Sequence, residues 1–202
     1  RKIYQVNNAL KRNLFLKTPQ FKTLAMLFFG MTLITQVKAD INYANNTGFS
    51  ISNTSESDAP VEVVYSHFIQ HVDMWWPKDH TWWNGTLSID EFAGGCFCEK
   101  SETNSAAHMQ VSYLEPNKKV VMTGGLGPLQ EMGMYGALTW QFEPIADGSK
   151  SGTQVTLTYH ASGNIHFSGK LASQEQAQGL VKVVDKVQAQ QLNALTTFSN
   201  NN

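Results

Sequence analysis

The chain has 202 residues, with 15 Lys+Arg against 16 Asp+Glu and only two cysteines. The charge is unevenly spread: residues 1–39 hold seven of the bases and none of the acids, so residues 40–202 carry eight Lys, no Arg and 16 acids, a net charge of −8. A body of that sign lacks the basic patches that grip phosphate backbones or anionic membrane surfaces, which excludes nucleic acid as a partner. Its length is that of one ordinary domain.

The N-terminal stretch has the layout of a secretory signal peptide. Residues 1–22 are basic and free of acids, the run "TLAMLFFGMTLIT" (Thr23 to Thr35) is apolar, and Val37 and Ala39 occupy small-residue positions before Asp40. The apolar run is shorter than the ~20 residues of a transmembrane helix, so cleavage after Ala39 is expected, with no membrane-spanning segment in the mature chain. The protein is therefore expected to be exported, periplasmic or secreted. Residues 40–48, "DINYANNTG", read as a flexible start.

Beyond that start, "FSISNTSES" (49–57) alternates and predicts a first strand. "DAP" opens a helix with Asp58 at the N-cap and Pro60 in the first turn, and Val61, Val64, Tyr65, Phe68 and Val72 follow at helical spacing. Pro77 and Gly85 bound the loop "WWPKDHTWWNG". Strand signals then run from Gly85 to His160: "TLSIDEF", "GGCFCEK", "AAHMQVSYLEP", "KKVVMTG", "MGMYGALTWQFEP" and "TQVTLTYH", the last two joined by a hairpin loop "ADGSKSG". Met134, Gly136, Leu138, Trp140 and Phe142 share one face, as do Val155, Leu157 and Tyr159, the alternation of an antiparallel sheet covered on one side. A long helix from about Ser173 to Phe198 closes the chain, with Ser173 and Gln176 placed as a capping box. Its apolar stripe is Ala177, Leu180, Val181, Val184, Val187, Leu192, Leu195 and Phe198. The order predicts an α+β fold in which a curved antiparallel sheet grips the last helix, with a ligand cavity between them.

Cys96 and Cys98 are one residue apart in a predicted strand, on one face. Regular strand spacing would put their Cα atoms roughly 6.6–7 Å apart, at the limit for a disulfide. That geometry favours packed thiols; a disulfide would need a kink, which Gly94 and Gly95 permit, and zinc would need ligands that no second cysteine pair supplies.

"MWWPKDHTWWNG", "GGCFCE", "TGGLGPLQEMGMYGALTWQFEP" and "TQVTLTYHASG" together resemble the START-like or SRPBCC superfamily, and within it the polyketide-cyclase/dehydrase-like and heat-shock-protein ATPase activator C-terminal-like branch. The likeness spans about 49–199, and "TGGLGPLQ" is its most specific part. It implies the helix-grip fold, a hydrophobic cavity under the long helix and a small hydrophobic ligand such as a lipid or polyketide. Many members of this branch are cytoplasmic, so the leader is a departure that sets this chain apart from a co-chaperone role.

The aromatic loop offers Trp76, Trp82 and Trp83 as a roof over such a cavity, or as core beneath a loop. The glycine-rich loop lacks G-K-[ST], so it is not a phosphate-binding loop; Leu126, Leu129 and Met132 are its candidate gate residues over the cavity, with a plain long hairpin loop as the alternative. His108, placed on the face of Ala106 and Gln110, is the candidate acid or base, because imidazole titrates near neutrality. Tyr135, Tyr159 or Cys98 could assist it, and these residues, His108 and Trp140 are expected, with the loop residues above, to line the ligand site. His67 and His71 stand at i, i+4 without the Glu of a zincin, and no metal or cofactor is expected. The leading reading is an exported binding protein for a small hydrophobic ligand. The alternatives are a cyclase or dehydratase using His108, and a module that binds another protein of unspecified kind.

Overall fold

The structure, a computed structural model, describes residues 37–147 and 150–202. The leader up to residue 36 and the tip of the predicted hairpin loop at 148–149 lie outside the described residues. One antiparallel sheet organises the chain. Its strands are β1 (Lys38–Asn45), β2 (Gly48–Ser57), β3 (Thr86–Ile89), β4 (Cys96–Ser101), β5 (Asn104–Glu115), β6 (Lys119–Gly124), β7 (Tyr135–Asp147) and β8 (Lys150–Ser162). They lie in the order β1-β2-β8-β7-β6-β5-β4-β3, so the only non-sequential neighbours are β2 and β8. A two-stranded ribbon, β9 (His166–Phe167) and β10 (Lys170–Leu171), leads into the last helix. The helices are α1 (Val61–Gln70), α2 (Val72–Trp75) and α3 (Gln174–Asn201).

The faces follow the alternation in the sequence. Leu138, Trp140 and Phe142 of β7 and Val155, Leu157 and Tyr159 of β8 are buried on the side that carries the helices. α1 delivers Tyr65 and Phe68 onto them: the Phe68 ring packs at a tilt, 4.8 Å from Trp140 and 5.3 Å from Phe142, and Tyr65 meets Phe142 edge-on at 5.6 Å. Offset and edge contacts of this kind each add about 0.5–1.5 kcal/mol beyond simple burial.

α3 has 28 residues and is about 42 Å long at 1.5 Å per residue. Its capping box forms: the Gln176 N–H donates to Ser173 Oγ (3.2 Å) and the Ser173 N–H to Gln176 Oε1 (2.9 Å). Its buried side is less apolar than the sequence stripe. Gln188, Gln191, Thr196 and Ser199 are buried beside Ala177, Val181, Leu192 and Leu195. These polar groups stitch the helix to its neighbours: Gln188 Nε2 donates to the Leu157 carbonyl (2.7 Å), Thr196 pairs with Ser55 (3.1 Å) and Ser199 with His67 (3.2 Å). Asn53 Nδ2 likewise donates to Asp185 (2.9 Å).

Four sequence expectations need correction. Residues 40–48 do not form an irregular start; residues 38–45 pair with β2 as an edge strand, and the expected cleavage point after Ala39 falls inside it. Asp58 is not the N-cap of α1: Pro60 is, and the Val63 and Val64 N–H groups close on the Pro60 carbonyl. Cys96 and Cys98 are not packed thiols but a disulfide. Their Cα atoms are 5.4 Å apart, inside the bonding range, at the point where the β4–β5 ladder shifts register. Phe97 pairs with Met109 and Cys98 with Ala107, leaving His108 as the extra residue of a β-bulge. The bulge also reverses the parity of β5. His108 and the next residue, Met109, are both buried, and Gln110 is exposed on the opposite face, not on that of His108.

Candidate functional site

A cavity of about 420 Å³ opens between the sheet, α3 and two loops. Leu180, Val183, Val184 and Val187 of α3 form one wall. The glycine-rich loop supplies Leu126, Gly127, Pro128 and Leu129; residues 79–82 form the far rim; His108 and Tyr159 rise from the sheet. The size suits a small molecule, and the surface that lines it is mostly apolar.

The glycine-rich loop is held by polar pins. After β6 the chain makes a 3-10 turn at Gly127–Leu129, with Gly127 at φ 58°, a left-handed conformation that favours glycine. The Leu126 N–H donates to Tyr159 Oη (3.2 Å), and that hydroxyl donates to the Gly124 carbonyl (3.3 Å). Gln130 Nε2 reaches the Ala107 (2.6 Å) and His108 (2.9 Å) carbonyls, which the bulge has taken out of regular pairing. Tyr159 is thus committed to the loop, and burial first of all holds its hydroxyl above the usual tyrosine range, despite the Leu126 N–H.

The aromatic loop is held by Glu99, which is fully buried on the inner face of β4 beside Phe97. Its carboxylate accepts from the backbone N–H groups of Trp82 (2.8 Å), Trp83 (2.9 Å) and Gly85 (3.0 Å). A fourth bond, of 3.1 Å, joins Glu99 Oε2 to His108 Nε2. Burial opposes ionisation of this carboxyl. The three N–H donors and His108 outweigh it and hold the group below the usual carboxylate range. Gly85 is required here by close approach: a Cβ would stand 2.5 Å from the Lys100 carbonyl oxygen and 2.9 Å from Glu99 Cγ. Asp73 pins the same loop, accepting from Lys78 and from the Leu87 N–H (2.7 Å), while Lys78 also donates to the Gly85 carbonyl (2.7 Å).

His108 is buried, and burial pushes its imidazole below the usual histidine range; the neighbouring Glu99 pulls the other way without cancelling this. A neutral ring that donates Nε2–H to the ionised Glu99 leaves Nδ1 as an acceptor. Nδ1 is buried and has no protein partner. The site is therefore a buried carboxylate behind a neutral imidazole at the edge of an apolar cavity.

Of the sequence candidates, the structure brings Trp82, His108, Leu126, Leu129 and Tyr159 together around this cavity. The others lie elsewhere. Trp76 is buried in the core, giving its Nε1–H to the His80 carbonyl (3.2 Å) and meeting Phe97 edge-on; Trp140 is buried under Phe68 and Trp75. Trp83 and Tyr135 are exposed, and Met132 packs partly buried against the core. Cys98 shares with Cys96 the face of β4 opposite Phe97 and Glu99, so it does not face the cavity. Glu99 was missed, although its parity with Phe97 was a signal: an acid on the buried face of a strand needs partners. Among the described residues, no three His, Cys, Asp or Glu side chains cluster as a metal site, and no helix is long and apolar enough to cross a membrane.

A curved antiparallel sheet closed over a long C-terminal helix, with a cavity between, is the helix-grip architecture of the START-like/SRPBCC superfamily. The chain belongs to the family described as Activator of Hsp90 ATPase homolog 1-like protein, whose model matches residues 58–197. Solved structures share the fold at low identity. A protein from Rhizobium leguminosarum superposes with a TM-score of 0.53 at 15% identity, covering 84% of this chain and 99% of that one. A conserved protein of unknown function from Enterococcus faecalis gives 0.51 at 12% identity, covering 79% and 75%. The di-domain ARO/CYC StfQ from the steffimycin biosynthetic pathway gives 0.54 at 12% identity, covering 77% of this chain and 52% of that one, about half of the two-domain protein. No curated protein matches the chain.

Proposed function

We propose that this protein is an exported binding protein for a small hydrophobic molecule, held between α3 and the sheet. The observation that carries the reading is the cavity of about 420 Å³, walled by three valines and one leucine of α3 and by the apolar glycine-rich loop. Export is supported by the basic-then-apolar leader and by the Cys96–Cys98 disulfide, since disulfides persist in oxidising compartments. The test is native mass spectrometry of the protein expressed as the whole chain and recovered without detergent from the envelope or medium. The expected result is a chain beginning at Asp40 and carrying an adduct that organic extraction removes. A full-length chain retained in the cytoplasm would overturn export, and a bare mass that takes up no apolar probe would overturn ligand binding.

A second reading, cyclase- or dehydratase-type chemistry, is favoured by one observation: His108 borders the cavity with its tautomer set by Glu99. The fold shared with an ARO/CYC protein supports the same direction. In this reading Nδ1 takes a proton from bound substrate and Glu99 stabilises the imidazolium that results. Loss of turnover in His108→Phe, with ligand uptake retained, is the expected outcome. Unchanged turnover would sink it.

A further inference from the structure

We infer that the Cys96–Cys98 disulfide is a reversible redox site, open to exchange with small thiols, and that breaking it loosens both loops of the cavity and weakens ligand binding there. The effect on the ligand rests on the binding reading above.

The bond is placed where a structural staple gains little. It spans a single residue, Phe97, so it removes little chain entropy from the unfolded protein. It also competes with the strand that carries it: extended spacing would set the two Cα atoms roughly 6.6–7 Å apart, and they stand at 5.4 Å. Both cysteines are partly exposed, on the face of β4 turned away from the helices, whereas Phe97 and Glu99 are buried. On that outer face Cys96, Gln110 and Thr123 form one cross-strand row and line a groove of about 250 Å³, which gives a small thiol room to approach. A disulfide that is exposed and of low structural value is of the labile, regulatory kind. In the exchange a thiolate attacks one sulfur of the pair, forming a mixed disulfide and releasing the other cysteine as a thiolate. A second thiol then breaks the mixed disulfide. In sum two small thiols are oxidised to a disulfide, and the two cysteines receive their two electrons and two protons.

β4 carries this change to both cavity loops. Glu99, the residue after Cys98, accepts from the N–H groups of Trp82, Trp83 and Gly85 and so fixes the aromatic loop. Across the ladder Cys98 pairs with Ala107, and His108 is the bulged residue. The carbonyls of those two residues accept from Gln130 Nε2, which anchors the glycine-rich loop that places Leu126 and Leu129 at the cavity. The disulfide therefore lies between the anchors of the two loops. Once it opens, residues 96–98 are free to lengthen by roughly 1 Å toward regular strand spacing. Hydrogen bonds of this kind hold only between about 2.7 and 3.2 Å, so a shift of that size weakens the anchors on either side. β7 and β8 lie beyond β6 and take no part in these anchoring bonds, so the change is local.

The test uses the purified protein, whose only cysteines are this pair. Free thiols are counted by alkylation and mass spectrometry in millimolar reduced glutathione, and again after oxidised glutathione is added. The pair is expected to open and to re-form; a pair that stays joined would overturn the redox site. Amide hydrogen exchange and binding of the neutral probe N-phenyl-1-naphthylamine are then measured in both states. Reduction is expected to speed exchange at Trp82, Trp83 and Gly85 while the amides of β7 and β8 keep their protection. It is also expected to weaken probe binding at least ~10-fold, about 1.4 kcal/mol. The double variant Cys96→Ser/Cys98→Ser is expected to match the reduced protein and to ignore glutathione. Equal exchange at the loop amides in the two states would overturn the coupling, as would global loss of protection on reduction. Faster loop exchange with unchanged probe binding would overturn the effect on the ligand. An oxidised protein that takes up no probe would overturn the binding reading, and the thiol count and loop amides would still decide the rest of this inference. If the variant does not fold, the two states of the unmodified protein decide.

Discussion

Replacing Glu99 by Ala tests whether one buried carboxylate holds the aromatic loop. The change removes the acceptor for the N–H groups of Trp82, Trp83 and Gly85 and the partner of His108 Nε2. Each buried donor left without a partner costs about 1–3 kcal/mol. The loop is half-open to solvent at Trp82 and Trp83, and the space vacated by the side chain admits water, so the four costs do not add in full. The expected loss is about 3–5 kcal/mol, the range for breaking a buried charged contact. Against a total of about 5–15 kcal/mol for a domain, that is a large fraction. The assay is urea unfolding followed by tryptophan fluorescence and by circular dichroism, comparing midpoints at equal slope. Glu115→Ala, which removes an exposed Lys118 partner, is the control and is expected to leave the midpoint in place. A loss below about 1 kcal/mol for Glu99→Ala would refute the claim that unpaired donors are expensive at this site.

Acid should destabilise the protein through the same pair. The Glu99 pKa is depressed in the folded state, so its stabilisation is present above the unfolded carboxylate pKa and is lost as pH falls through the folded value. The His108 pKa is also depressed, so protonation favours the unfolded chain as pH drops below about 6.5. A thermal melting series should show the midpoint falling with pH, and His108→Phe should flatten the limb nearest neutrality. Reducing the Cys96–Cys98 disulfide should cost little, because it closes a loop of three residues: chain entropy gives about 1.6 kcal/mol. Unfolding curves with and without reductant measure this, and loss of the fold on reduction would contradict it. Val184→Trp should fill the cavity from α3, abolishing uptake of N-phenyl-1-naphthylamine while the far-ultraviolet circular dichroism stays unchanged.

Much of the frame was legible because its causes are local. Period-two alternation placed Leu138, Trp140 and Phe142 on the buried face of β7, and Val155, Leu157 and Tyr159 on that of β8. Ser173 and Gln176 marked the start of α3 by spacing alone, since a capping box needs only residues three apart. The place of Leu126 and Leu129 beside the cavity was also legible, from apolar side chains in a glycine-rich loop.

The tertiary structure decided what depends on residues far apart in the chain. Regular spacing argued against a Cys96–Cys98 bond, and the bond forms where the pairing of β4 with β5 departs from regular register. The same bulge put His108 and Met109 on one face, which strict alternation forbids. The helix stripe missed Gln188 and Thr196 because their burial depends on a carbonyl of β8 and a hydroxyl of β2, partners no helical period encodes. Residues 40–48 read as flexible because an edge strand draws its stability from β2 rather than from its own apolar content. Sequence by itself determined which segments are strands and helices and which faces turn inward, because periodicity is a property of neighbours along the chain. Only the tertiary structure joined Glu99 to His108 and to the loop at Trp82–Gly85, because a hydrogen-bond network exists only once the strands have found their register.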